Sequence, residues 1–274
     1  MGGGPAGAAL AGLLAKRGWS VALVHDDRNR HATPVETLLP ASLPALERCG
    51  LAAVVRAACE PDTRRHGACW EDAEWVWQPR ERPGFVVQRA RLDAALRAFA
   101  TTHGAALWRG TVVALAGSAL AHEVVVLASG QHHTLRARTV ALATGRRPLR
   151  HLLPTTIVAT GPETAAFALQ GDALPDARQL ATVEAARAGW SWWIGHDEGG
   201  SGVVVADLAD VRQRGRARVL AEVLHSSRGS AATLRTATLV GAVRATARAL
   251  ATEQPVLLLG DAASTLDPLA SQGT

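Results

Sequence analysis

Gly2-Gly3-Gly4-Pro5-Ala6-Gly7 stands at the head of the chain and fits G-x-G-x-x-G at Gly2, Gly4 and Gly7. Each glycine in that pattern has its own task. The first permits a tight turn, the second lets backbone approach a pyrophosphate, and the third lets the following helix lie close to a sheet. Residues 4–17 are rich in Ala and Leu and stop at Gly18, which reads as that helix with a glycine terminator. Its first turn, including Ala6, aims unpaired N–H groups and the positive dipole end at the phosphates. Residues 20–24 then run apolar, as a buried strand does. Helix and strand at this distance make the motif a dinucleotide site.

An acidic residue ordinarily closes the second strand of such a site and holds the adenosine ribose. Here the strand ends Val24-His25-Asp26. Either Asp26 serves the ribose after a small bulge, or His25 does so as a neutral donor. The two carboxylate oxygens, which accept from both ribose hydroxyls, favour Asp26. A strand should also precede Gly2, yet only Met1 does, so the expectation is a start placed too far downstream.

Composition narrows the class. With 274 residues and 48% hydrophobic content, the chain can bury a large core as one large domain or two lobes. No apolar run approaches the roughly 18 residues of a membrane span, and the N-terminus lacks the flank of a signal peptide. A soluble, cytoplasmic protein with no membrane partner is expected. Cys49, Cys59 and Cys69 fit no metal-ligand spacing, so no metal is expected. The net charge of +5 is dispersed over arginines, with Lys16 the only lysine, so nucleic acid is not an expected partner.

Further along, residues 26–44 read as a loop and 44–58 as a helix interrupted near Gly50. Residues 69–87 read as short strands with turns, and 91–103 as a helix. Strands are expected over 111–115, 123–128 and 139–143, then 179–184, 190–194 and 202–207. A helix is expected over 210–224, and a strand over 255–259 that runs into Gly260-Asp261.

The second decisive motif is Leu257-Leu258-Leu259-Gly260-Asp261-Ala262-Ala263, followed by Asp267-Pro268-Leu269-Ala270-Ser271-Gln272-Gly273. On these residues the chain resembles the FAD-dependent aromatic monooxygenases of the para-hydroxybenzoate hydroxylase type, and within them the tryptophan-halogenase-like branch. Glu36-Thr37-Leu38-Leu39-Pro40 is similar to the Gly-Glu-Ser-Leu-Pro-Pro segment of that family, with Val35 replacing the glycine. Val87-Gln88-Arg89-Ala90-Arg91 is similar to the segment whose arginine reaches the FAD. Ala143-Thr144-Gly145-Arg146 matches its Asp-Ala-Thr-Gly-Arg run, with Leu142 in place of the aspartate.

The resemblance implies an α/β fold: a Rossmann-like FAD-binding domain interleaved with an α+β substrate domain on a mostly antiparallel sheet. The FAD-binding domain is expected over 1–64, 88–152 and 253–274, discontinuous and incomplete, and the substrate domain over 65–87 and 153–252. Asp261 is implied on the flavin ribityl chain, with Pro268 and Gly273 turning a helix N-terminus toward the flavin pyrimidine edge. Glu36, Arg89 and Gly145 are implied as further cofactor contacts. Since that helix should begin where the chain stops, a fragment truncated at both ends is expected.

The resemblance also implies an oxidoreductase in which NAD(P)H reduces FAD and a flavin hydroperoxide hydroxylates an aromatic or indole-type substrate, small or peptide-borne. Trp190-Ser191-Trp192-Trp193-Ile194-Gly195 resembles the W-x-W-x-I-P motif of the halogenases, with Gly195 replacing the proline. The halogenases need a lysine near the substrate, and residues 36–108 contain none. Hydroxylation is therefore expected. A reductase or dehydrogenase of the same fold and a non-catalytic remnant are the alternatives. Trp75, Trp77, Trp190 and Trp192, with Trp70, are expected to line the substrate pocket. No protein side chain is singled out as catalytic, because the cofactor carries the chemistry.

Overall fold

The computed structural model describes residues 1–26, 35–62, 64–70, 74–78, 84–118, 120–146, 152–173, 178–196, 199–226, 232–250 and 256–265. The first lobe begins with helix α1 (Pro5–Lys16), strand β1 (Ala22–His25) and strand β2 (Val35–Leu38). Helices α2 (Leu43–Cys49) and α3 (Ala52–Ala58) follow, separated at Gly50, whose φ of 74° takes the left-handed turn that glycine allows. Strand β2 lies inside the stretch expected to be a loop. Its apolar ends, Val35 and Leu38, are buried, and it gains a ladder with a strand some fifty residues away, which local pattern does not show.

Next come β3 (Glu60–Asp62), β4 (Arg65–Trp70), β5 (Val76–Gln78), β6 (Gly84–Gln88) and α4 (Arg89–Thr102). Strand β6 pairs antiparallel with β2 and β3. Helix α4 packs on α1 through a close approach at Gly12, where a Cβ would run into the Phe99 ring. Ala8, Ala11, Ala15, Leu92, Leu96 and Ala100 are buried in this seam. Each fully buried leucine there contributes roughly 2 kcal/mol.

Strand β7 (Ala106–Arg109) pairs parallel with β1. A meander of β8 (Thr111–Gly117), β9 (His122–Ala128) and β10 (Gln131–Ala137) follows, then β11 (Val140–Leu142). Strand β11 pairs parallel with the distant β19 (Val256–Leu258). The backbone of Met1 and Gly2 joins the two parallel pairs. Gly2 N donates to Val24 O at 2.8 Å, Met1 N to Ala141 O at 2.6 Å, and Ala143 N to Met1 O at 2.7 Å. The hydrogen-bonded order is therefore β7, β1, Met1–Gly2, β11, β19.

The second lobe contains β12 (Thr155–Ala159), β13 (Thr164–Ala173), β14 (Leu180–Ala186), β15 (Gly189–His196) and β16 (Gly199–Asp207). Helices α5 (Leu208–Arg214) and α6 (Arg216–Ser226), then β17 (Ala232–Val243) and β18 (Thr246–Leu250), complete it. The single helix expected over 210–224 is broken at Gly215, which sits at φ 84°. Seven strands form one sheet in the order β17-β13-β16-β15-β14-β4-β5, antiparallel except for β14 with β4. Helices α5 and α6 cover the face bearing Phe167, Leu169, Trp193 and Val204. The opposite face meets the first lobe, with Ala181, Ile194 and Trp192 against Val35 and Val86. Strand β20 (Ser264–Thr265) adds to β12 and β18 beside the second glycine turn. The fold is thus α/β, with a Rossmann-like lobe and a mostly antiparallel second sheet.

Candidate functional site

The first turn is shaped by close backbone approaches. Gly2 has φ 105°, and a Cβ there would strike the Ala143 carbonyl, while one at Gly7 would strike the carbonyl of Gly2. Gly3 lies on the His25 side chain, and its carbonyl accepts from Arg97 Nη1 at 3.0 Å. Gly4 is different. A Cβ there would meet nothing nearer than Arg89 Nη2 at 3.9 Å, so space lies open before it. Gly4 is also the N-cap of α1, and among the described residues no side chain caps that helix. Its first-turn N–H groups therefore keep their capacity to bind an anion.

The second turn lies against the first. Leu259 N donates to Leu142 O at 2.9 Å, and the chain turns at Gly260 with φ 56°. A Cβ at Gly260 would sit 3.1 Å from the Ala6 Cβ, so the two glycine turns touch. The Asp261 carboxylate accepts from Arg146 Nε at 3.3 Å. Strands β1, β11 and β19 all end here, at the carboxyl edge where doubly wound sheets place their ligands.

Glu36, Arg89 and Asp93 form the third wall. Arg89 donates to Glu36 at 3.1 Å and to Asp93 at 3.3 Å. Burial, the largest single influence on the guanidinium, pulls its pKa down. The two carboxylates together outweigh it and hold the pKa above its ordinary value. Two buried polar atoms beside this crevice have no hydrogen-bond partner among the described residues, Glu36 Oε2 and Thr144 Oγ1. Buried polar groups seldom go unpaired in a finished site. An orphaned carboxylate oxygen and hydroxyl, an open Gly4, an uncapped helix and a neighbouring arginine make a set of donors and acceptors that fits a dinucleotide.

Gly2, Gly4, Ala6, Gly7, Gly145, Asp261, Glu36 and Arg89 are brought together around this crevice. His25 is buried beneath Gly3, and Asp26 follows it half-buried at the end of β1. Pro268 and Gly273 lie outside the described residues. The tryptophans do not share one wall. Pairing puts Trp192 in a row with Val183, Ala68 and Val76, and Trp190 in a row with Ala185 and Trp70, all on the face toward the first lobe. Trp77 pairs with Gly67 in the row of Thr182 and Trp193, on the helix-covered face. Trp75 stacks on Trp77 at 5.3 Å, and both rings lie over Gly67.

Sequence reasoning missed three arginines. Arg97 follows Arg89 and Asp93 at four-residue spacing on α4, a helical pattern that was there to be read. Arg146 closes the Ala-Thr-Gly-Arg run but was given no role of its own, and Arg248 belongs to no motif. Arg248 donates to the carbonyls of Gly145 (3.2 Å), Arg146 (2.5 Å), Asp261 (3.1 Å) and Ala262 (3.4 Å). Among the described residues no cluster of His, Cys, Asp or Glu is placed to hold a metal, and no helix is long and apolar enough to cross a membrane.

Comparison with curated proteins finds no match. Among solved structures, a triple mutant of the flavin-dependent brominase Bmp2 is similar at TM-score 0.80 and 20% identity, over 99% of this chain and 74% of that one. The p-nitrophenol 4-monooxygenase PnpA from Pseudomonas putida DLL-E4 gives 0.73 and 18%, over 99% and 74%. The peptidyl tryptophan dihydroxylase QhpG, described as essential for tryptophylquinone cofactor biogenesis, gives 0.72 and 25% over 99% of this chain. The chain spans 61% of the length of that dihydroxylase. A family model described as FAD binding domain matches residues 1–274. The chain therefore belongs to the FAD binding domain family.

Proposed function

We propose that the chain holds FAD across its two glycine turns and serves the hydroxylation of an aromatic or indole-type substrate, with NAD(P)H as reductant. The contact between Gly260 and Ala6 carries this reading, because a ligand gripping one turn must pass the other. In it, the Gly2–Gly7 turn and the first N–H groups of α1 bind the pyrophosphate, with Arg89 beside them. Asp26 serves the adenosine ribose, His25 being turned under Gly3. Glu36 Oε2 and the Asp261 carboxylate accept from cofactor hydroxyl or N–H groups, Arg146 yielding its place on Asp261. Bound FAD supplies the electron transfer and oxygen activation.

The substrate lies over the sheet face that meets the first lobe. Trp190 and Trp192 stand there beside Ala166, Val203 and Val205, an apolar surface that excludes water and suits an aromatic ring. The likeness to a peptidyl tryptophan dihydroxylase supports an indole, small or peptide-borne. The likeness to a brominase supports halogenation instead, but Lys16 lies at the C-terminal end of α1, roughly 15 Å of helix from the glycine turn. The two readings separate in one assay. The chain loaded with FAD is given NADH or NADPH, oxygen and bromide with indole, phenol and tryptophan-containing peptides. Substrate-dependent oxygen uptake with a product gaining oxygen supports hydroxylation, a brominated product supports the second reading, and NAD(P)H oxidation independent of oxygen overturns both.

A further inference from the structure

Arg248 lies on β18, in the second lobe, yet its bonds converge on the two loops that end β11 and β19. Nη1 is shared among the carbonyls of Gly145, Asp261 and Ala262, and Nη2 donates to that of Arg146. Its backbone N–H donates to Ala263 O at 2.8 Å. One residue thus holds the whole turn that carries Asp261, and ties it to the Gly145 loop. The turn is anchored again through Thr265, whose hydroxyl meets Thr246 N at 3.0 Å and Arg244 O at 2.8 Å.

This arrangement is costly. Burial pulls the Arg248 guanidinium below its ordinary pKa, Asp261 only partly offsetting it, and Nε is buried with no partner among the described residues. An apolar side chain of similar size would avoid that cost. A planar fork that reaches several carbonyls at once is what a lysine or methionine does not supply.

We propose that Arg248 is a positioning residue for the flavin end of the cofactor. It fixes the Gly260–Ala263 turn so that Asp261 meets the ribityl side of FAD, while the phosphate cradle at Gly2–Gly7 has its own direct contacts with Ala143, His25 and Arg97. The inference rests on the FAD reading above. It assigns Arg248 to one half of the ligand, and that gives it a test which plain loss of folding does not mimic.

The 274-residue chain and its R248M and R248K variants are titrated with FAD and separately with ADP, which carries only the half that the cradle grips. The expected result is that R248M loses about tenfold or more in FAD affinity, the scale of charge-assisted hydrogen bonds, and changes ADP affinity by less than about twofold. R248K falls between, since an ammonium reaches part of the carbonyl set. If R248M does not fold, R248K carries the same comparison of FAD against ADP. FAD affinity that stays at the wild-type value, or FAD and ADP affinities that fall together, overturns the assignment of Arg248. A wild-type chain that binds ADP as tightly as FAD, or neither, overturns the flavin reading itself and the role of Arg248 with it.

Discussion

Gly4 shows most plainly how a single position divides between folding and binding. Its φ of −76° suits any residue, and a Cβ there meets only the end of Arg89 at 3.9 Å. Gly4→Ala should therefore cost the protein no more than about 1 kcal/mol, the usual N-cap difference. The added methyl would occupy the space before α1 where a phosphate approaches, so FAD affinity should fall by at least about tenfold. Denaturant melts without cofactor, together with FAD titration, measure the two effects separately. A second prediction concerns pH. Burial, and behind it Glu60, pushes the Cys59 thiol from its ordinary 9 up to about 11. Above pH 9 the unfolded chain releases this proton while the folded chain keeps it, so the folded state binds more protons. The contribution is fully present below about pH 9 and is lost as pH rises toward 11, approaching roughly 2 kcal/mol. The chain has no tyrosine and one lysine, so the Cys59→Ala variant is compared with the parent that keeps Cys49 and Cys69. Urea melts across this range should show the slope, and Cys59→Ala should flatten it. The glycines, Asp261, Glu36 and Arg89 were legible because local motifs place them. Arg248 was not, since two of its acceptors, in Gly145 and Arg146, stand more than a hundred residues away and no motif joins it to the others.

Helix α1 illustrates why an element that reads clearly still needs its partner. Its alanines and closing Gly18 mark it in the sequence, but Gly12 looks like a mere weakness within it. In an exposed helix, Gly→Ala gains about 1 kcal/mol. Here the new Cβ would strike the Phe99 ring and lie 3.2 Å from Ala100 Cα, so Gly12→Ala should instead lose about 1–3 kcal/mol. Thermal melts give the sign, and a stabilised variant would mean that α1 and α4 pack differently. The strands divide in the same way. Those with strong apolar runs, β9, β15, β16 and β19, were readable from pattern. Strand β13 was not, because its residues on the face toward the first lobe, Ala166 and Ala168, are small, and its ladder with β17 shifts register twice. Strand β6 was expected with the second lobe, yet it pairs with β2 and β3, and its Phe85 and Val87 sit in the core under α1 and α4. The expected boundary at 87/88 falls inside this strand. Register also separates tryptophans that composition had grouped. Two residues along a strand share a face, but a pairing with Gly67 sends Trp77 to the side opposite Trp192.

Two lobes, threaded by a chain that crosses between them, create the site only where they meet. The first lobe supplies the phosphate cradle, and β18 and β20 of the second brace the turn at Gly260. Both turns rise from the sheet of the first lobe, so two modest motifs at opposite ends of the chain carried more weight together than apart. The parallel order β7, β1, Met1–Gly2, β11, β19 puts every strand end at one edge, and the two glycine turns project from it. The most direct test is a crystal structure of the chain grown with FAD. A grip shared by the two turns should place pyrophosphate oxygens within about 3 Å of backbone N–H groups between Gly4 and Gly7, with the Asp261 carboxylate on the ribityl chain of the same molecule. A flavin bound elsewhere, or one whose pyrophosphate occupies the Gly4 turn while its ring points away from Asp261, would contradict it.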